Sequence, residues 1–123
     1  MRFLTDKKRV HGLGSARSGT KHHIGMTISS YGLIVLVPLF LIVVGPMVGQ
    51  PYQDVVAHFA RPFPALITGL TLLVGLIHFN NGIRMTFEDY VHGYKRELLI
   101  ILTTIFCYGT AAFALFALAR LSF

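Results

Sequence analysis

His78 is the residue whose type and setting point most directly to chemistry. It lies in the apolar segment Leu72–Phe79, where an ionisable side chain is costly to bury and usually functional. Neutral imidazole is a common metal or haem ligand. It also hydrogen-bonds readily to a neighbouring helix, and the residues alone leave both interpretations open. No cysteine, carboxylate or second histidine at i+4 shares the segment, so any other strong ligand must come from another subunit.

A polar cluster follows His78 and ends in an acid and a phenol. If one helix continued through it, Asp89 would lie eleven residues, close to three turns, after His78 and on the same face. Two plainer interpretations also fit these residues. Thr86 and Asp89 match a capping box for a short following turn, and Tyr90 suits the aromatic belt at a membrane interface.

Charge segregation predicts the elements that position these residues. Lys, Arg, Asp and Glu are absent from three windows, residues 22–53, 62–83 and 98–119. A helix of 22 residues spans about 33 Å, enough for a hydrocarbon core of about 30 Å. Backbone groups in lipid must pair within their own segment, which favours helices. The sequence therefore predicts an all-α integral membrane protein with helices at about 26–48, 63–86 and 97–120.

The composition excludes other classes of protein. Hydrophobic residues make up 54% of the 123 residues and charged residues 13%, which is too apolar for a disordered chain or a soluble one-domain enzyme. The single cysteine, Cys107, cannot form an internal disulfide. We expect it to pack as a small apolar side chain.

The basic residues predict the orientation of the helices. Nine of the 11 Lys and Arg residues lie in the first 21 residues or around the second loop, and two lie elsewhere. The positive-inside rule then places the N-terminus and the second loop in the cytoplasm. Residues 1–21 are predicted to be a basic cytoplasmic arm, and residues 22–123 the membrane domain. Orientation explains the arm's charge better than nucleic-acid binding does.

Polar side chains mark the start of the first helix. His22 and His23 are expected at the interface, within reach of an anionic group such as a haem propionate. Thr27, Ser29 and Ser30 are expected to bond to a neighbouring helix or back to their own backbone.

Seven positions between His78 and Gly93 stand at fixed spacings: His78, Gly82, Asp89, Tyr90, Val91, His92 and Gly93. This pattern resembles the signature of the D-type membrane anchor of succinate dehydrogenase, respiratory complex II. The overall resemblance covers roughly residues 14–123. The Gly- and Ser-rich residues 12–21 look like those of alphaproteobacterial members.

The resemblance implies a role for each matching residue. His78 matches the axial ligand of the haem b iron, with the other axial histidine on a companion C-type cytochrome b anchor that bundles with this chain. Tyr90 matches the tyrosine that hydrogen-bonds a ubiquinone carbonyl oxygen. Asp89 matches the acid thought to support that tyrosine and proton delivery. A phenol suits this role because it donates a hydrogen bond to a ketone oxygen, and this bond becomes stronger as negative charge develops on that oxygen.

The implied complex is a succinate:ubiquinone oxidoreductase of the bacterial inner membrane, serving the tricarboxylic acid cycle and respiratory electron transport. The multi-pass chain would dock a flavoprotein subunit and an iron–sulfur subunit. FAD and the iron–sulfur clusters would lie in those partners, so this chain would not be catalytic alone. Membrane lipid is its remaining expected partner, and no nucleic acid is expected.

The sequence departs from the family at the start of the first helix. Many relatives carry an arginine there, near the haem propionates, but residues 22–30 contain none. Either His22, His23 or Ser30 would supply these contacts, or the companion anchor would supply them all.

Two alternatives from other classes remain for comparison. A small proton-coupled transporter would need an acid or base within its spans, and none of the five acids lies at mid-span. A non-redox scaffold would explain the composition and topology. It would not explain the pattern from His78 to Gly93.

Overall fold

The chain folds into helices over the part that the structure, a computed structural model, describes. That part comprises Thr5, Lys7 and residues 19–123, and it contains no strand. Its helices are α1 (Gly19–Val44), α2 (Tyr52–Phe59), α3 (Pro62–Tyr90) and α4 (Tyr94–Ser122). Three of them, α1, α3 and α4, are long and apolar enough to cross a membrane. The predicted all-α architecture with three spans is confirmed. The predicted basic arm lies almost entirely outside the described residues.

The ends of the helices differ from the predicted bounds. Helix α1 begins at Gly19 rather than residue 26, and α3 continues to Tyr90 rather than ending at residue 86. The charge-free windows mark the hydrocarbon core, but helical hydrogen bonds continue into the polar layers on either side. At its other end α1 stops at Val44 rather than residue 48 and gives way to a 3-10 turn at Gly45–Met47, which contains Pro46.

Helix α2 was not predicted, since its residues were assigned to a loop. It is short, it begins after Pro51, and Asp54 lies in its first turn, where a negative charge suits the helix dipole. It is too short and too polar to span a membrane, so hydropathy alone gave no sign of it.

Helix α3 lies between the other two spans. It packs against both α1 and α4, whereas no Cα of α1 comes within 8 Å of a Cα of α4. Consecutive spans run antiparallel, so the start of α1, the end of α3 and the start of α4 share one end of the molecule. The described spans therefore form a row with α3 at its centre.

A regular register holds α1 against α3. Successive contacts pair Met26 with Gly82, Ser29 with His78, Gly32 with Val74 and Leu36 with Thr71. A Cβ added at Gly82 would lie 3.7 Å from Met26 Cε, and one added at Gly32 would lie 3.7 Å from Val74 Cγ1, so these residues face each other across the interface. The register brings the polar start of α1 to the level of His78.

The contact between α3 and α4 contains one polar pair among apolar residues. Asn80 is 8% exposed and accepts a hydrogen bond from the Thr104 hydroxyl, 3.2 Å from its Oδ1. Cys107 lies nearby and is 2% exposed, which confirms that it packs as a small apolar side chain. At Gly69 an added Cβ would lie 3.2 Å from Leu115 Cδ2, so the helices are close there.

Gly93 makes the turn between α3 and α4 possible. Its φ is +71° and its ψ is −159°, a backbone conformation that residues other than glycine rarely adopt. An added Cβ would meet no atom within 4 Å, so any cost of substitution comes from the backbone alone.

We expect Gly93→Ala to destabilise the protein by about 1–3 kcal/mol because alanine is strained in this conformation. The thermal denaturation midpoint of the purified protein checks this. Gly109→Ala is the matched control, since it lies in α4 with similar open space around its Cβ and no positive φ. Equal midpoints for the two variants would contradict the expectation.

Candidate functional site

Helix α3 carries three of the predicted site residues on one uninterrupted element. It runs from Pro62 to Tyr90, so both His78 and Asp89 lie within it. The condition for a shared face is therefore met. The eleven residues that separate them correspond to about 16 Å along the helix axis. Tyr90 is the last residue of the helix.

The His78 ring bonds to the neighbouring helix through one of its two nitrogens. Its Nδ1 lies 2.9 Å from the Ser29 hydroxyl oxygen on α1. Among the described residues, none hydrogen-bonds Nε2. The interhelical hydrogen bond and the metal ligand considered for His78 are therefore compatible, because each uses a different nitrogen.

A metal ion at His78 would need ligands beyond this part of the chain. No three His, Cys, Asp or Glu side chains of the described residues lie close enough together to hold a metal ion. Within the part of the chain that the structure describes, the strong ligand at this level is the half-buried imidazole of His78.

The polar residues of α1 divide into two groups. Thr27 and Ser30 bond back to their own helix, to the carbonyl oxygens of His23 at 2.9 Å and Met26 at 2.8 Å. Ser29 lies 2.9 Å from the Met26 carbonyl oxygen and also reaches His78. Both expected behaviours therefore occur. The sequence did not single out Ser29 as a site residue, because only the helix register shows which serine faces His78.

The two histidines at the start of α1 lie inside this helix rather than before it, because α1 begins at Gly19. His23 is exposed, and the side chain of His22 lies outside the described part of the chain. The propionate contacts expected of His22, His23 and Ser30 stay predictions.

Asp89 and Tyr90 are presented together at the end of α3. Both side chains are exposed, Tyr90 by 82%, and no hydrogen bond joins them. The capping-box alternative for Asp89 is wrong, because the helix does not end before it. Thr86 instead donates to the Gly82 carbonyl oxygen at 3.2 Å inside α3.

Charged residues surround this end of the row. Arg84 and Glu88 form an ion pair at 3.0 Å with both side chains nearly half exposed, which is worth only about 0.3–0.5 kcal/mol. Lys21 lies near the start of α1, and Lys95 and Arg96 lie in the first turn of α4. Arg61 and Arg120 lie at the other end. Among the described residues of the spans and their connections, this end carries four Lys or Arg side chains and the other end two.

Comparison with known proteins identifies the family. A family model described as succinate dehydrogenase/fumarate reductase transmembrane subunit matches residues 1–116. The succinate dehydrogenase hydrophobic membrane anchor subunit of Paracoccus denitrificans is 47% identical over 98% of this chain and 94% of its own length. The chain belongs to this family. It is a membrane anchor subunit of the succinate dehydrogenase/fumarate reductase type and an integral membrane protein.

More distant relatives carry the same description. The hydrophobic membrane anchor subunit of Rickettsia conorii is 27% identical over 88% of this succinate dehydrogenase-type anchor and 87% of its own length. That of Rickettsia prowazekii is 37% identical over 41% of each chain. No solved structure gives a significant match.

Proposed function

We propose that this anchor subunit serves a succinate:ubiquinone oxidoreductase, where it shares haem b with a second anchor and forms part of the ubiquinone-reduction site. One observation carries the proposal. A single helix, α3, presents an imidazole within the membrane and an acid–phenol pair at the basic end of the same span.

The geometry of His78 fits a residue that would hold haem iron. Ser29 occupies the Nδ1 side of the ring, and Nε2 has no hydrogen-bond partner among the described residues. Imidazole is a common ligand of haem iron, and a histidine of the companion C-type anchor would be the other protein ligand. When bound, the haem supplies one-electron redox chemistry.

The exposure of Tyr90 fits contact with a quinone. Its phenol makes no hydrogen bond to Asp89, so the hydroxyl can donate one to a ubiquinone carbonyl oxygen. Reduction of the quinone to quinol takes up two electrons and two protons. Asp89 is the adjacent carboxylate, and it lies where solvent can supply protons.

The charge distribution supports a cytoplasmic position for this site. The start of α1, the end of α3 and the start of α4 lie together, and they carry the excess of basic residues. By the positive-inside rule this end faces the cytoplasm of a bacterium, with the spans in its inner membrane. The flavoprotein and iron–sulfur subunits, which would hold FAD and the iron–sulfur clusters, would dock on this face.

The two outer helices, α1 and α4, have exposed faces against which the second anchor could pack. In the most apolar part of each span, 28% of α3 residues are buried, against 6% in α1 and 11% in α4. The exposed side chains are mainly apolar, so they suit both lipid and another membrane helix.

Copurification of the intact complex tests the proposal. A tagged copy of this chain, extracted from membranes in mild detergent, is expected to bring down two soluble subunits and a second anchor. The preparation should reduce ubiquinone with succinate. An unrelated tagged membrane protein serves as the control. Purification of the chain without succinate-oxidising partners would contradict the proposal and favour a scaffold of another kind.

A further inference from the structure

Ser29, which has no part in the function proposed above, contacts the imidazole of His78. Ser29 Oγ lies 2.9 Å from His78 Nδ1 and 2.9 Å from the Met26 carbonyl oxygen. We propose that Ser29 is a positioning residue. Its hydroxyl oxygen accepts a hydrogen bond from the Nδ1–H group of His78, and this bond holds Nε2 toward the haem iron. This inference rests on the proposed ligation by His78.

Proton positions follow from ligation. A neutral imidazole that binds metal through Nε2 carries its proton on Nδ1, and that proton needs an acceptor. The serine hydroxyl has one proton of its own and lone pairs that can accept another. The serine hydroxyl donates its own proton to the Met26 carbonyl oxygen. A lone pair of the serine oxygen is then available to accept a hydrogen bond from the imidazole ring.

The anchoring helix makes the acceptor rigid. Ser29 is part-buried and lies on α1, whereas His78 lies on α3, 49 residues away in sequence. The two helices also face each other on either side of the pair, at Gly82 with Met26 and at Gly32 with Val74. Ring orientation therefore depends on helix packing rather than on His78 alone.

Thr27 provides a matched control on the same helix. Its hydroxyl donates to the His23 carbonyl oxygen at 2.9 Å, and no hydrogen bond joins it to His78. Replacement of Thr27 by alanine removes a similar backbone bond and leaves the Ser29 acceptor in place. An effect on the haem that came merely from weakening α1 would appear in both variants.

The test compares haem properties in the purified complex. Ser29→Ala is expected to lower haem retention roughly tenfold, in line with losses of other groups that orient metal ligands. It should also shift the haem midpoint potential to a more positive value, because an imidazole without an acceptor donates less charge to ferric iron. Ser29→Thr, which keeps a hydroxyl, should restore both values, and Thr27→Ala should leave both unchanged.

A further variant keeps the test decisive if Ser29→Ala does not assemble. Ser29→Cys preserves side-chain volume but offers a weak acceptor, and it should shift the potential in the same direction. The proposal is overturned if Ser29→Ala and Ser29→Cys keep the parent potential, if Thr27→Ala shifts it equally, or if Ser29→Thr does not restore it.

His78→Ala separates this inference from the ligation on which it rests. If that variant retains haem with an unchanged spectrum, ligation by His78 fails and the Ser29 role fails with it. If it loses haem while the Ser29 variants match the parent, only the positioning role is overturned.

Discussion

Replacement of His78 by alanine is expected to remove haem b from the purified complex or to abolish its low-spin spectrum. The reason is the single imidazole that this chain offers at membrane depth, with Nε2 free of protein partners among the described residues. Alanine leaves no side chain that can take its place as an axial ligand. Visible absorption and the ferric EPR signal measure the loss.

The control for His78→Ala is His92→Ala. His92 is exposed in the short connection after α3, near the same end of the molecule. It should leave both spectra unchanged, because it lies beyond the helix that carries the proposed ligand. An unaltered spectrum in His78→Ala would exclude this residue as a ligand.

Replacement of Tyr90 by phenylalanine is expected to lower succinate:ubiquinone reductase activity about tenfold. The change removes one hydroxyl that is proposed to donate to the quinone, and a hydrogen bond of about 1–1.5 kcal/mol corresponds to roughly that factor. Succinate oxidation measured with a soluble dye should persist, because that reaction would take place at FAD in another subunit.

Tyr94→Phe is the matched control for this variant. Tyr94 is also exposed, by 74%, and it begins α4 just across the connection from Tyr90. Its loss of a hydroxyl should change neither activity. If Tyr90→Phe kept both activities at the level of the parent protein, Tyr90 would not be a quinone contact.

The positions of the spans were predictable because membrane insertion leaves a simple trace in composition. The charge-free windows located α1, α3 and α4. The continuation of α3 to Tyr90 was not predicted. Polar residues after His78 suggested an ending, but a helix that leaves the membrane accommodates polar side chains as readily as a loop does.

The site was predictable where it depends on one helix and unpredictable where it depends on two. His78, Asp89 and Tyr90 share α3, so their spacing could be read along the chain. Ser29 contacts His78 across an interface, and the choice between Ser29 and Ser30 turns on about 100° of helix rotation. Composition does not determine that angle, whereas packing around Gly32 and Gly82 does.

The row of three spans also bears on the fate of a copy that finds no partners. Lipid is as apolar as the faces between the helices, so burial alone gives little reason for them to stay together. Cohesion then depends on close packing, as at Gly69, and on polar contacts such as Ser29 with His78 and Asn80 with Thr104. In a chain without partners, the three helices would be held together only weakly, and membrane proteases would degrade it readily. The supply of the companion subunits would then set its lifetime in the cell.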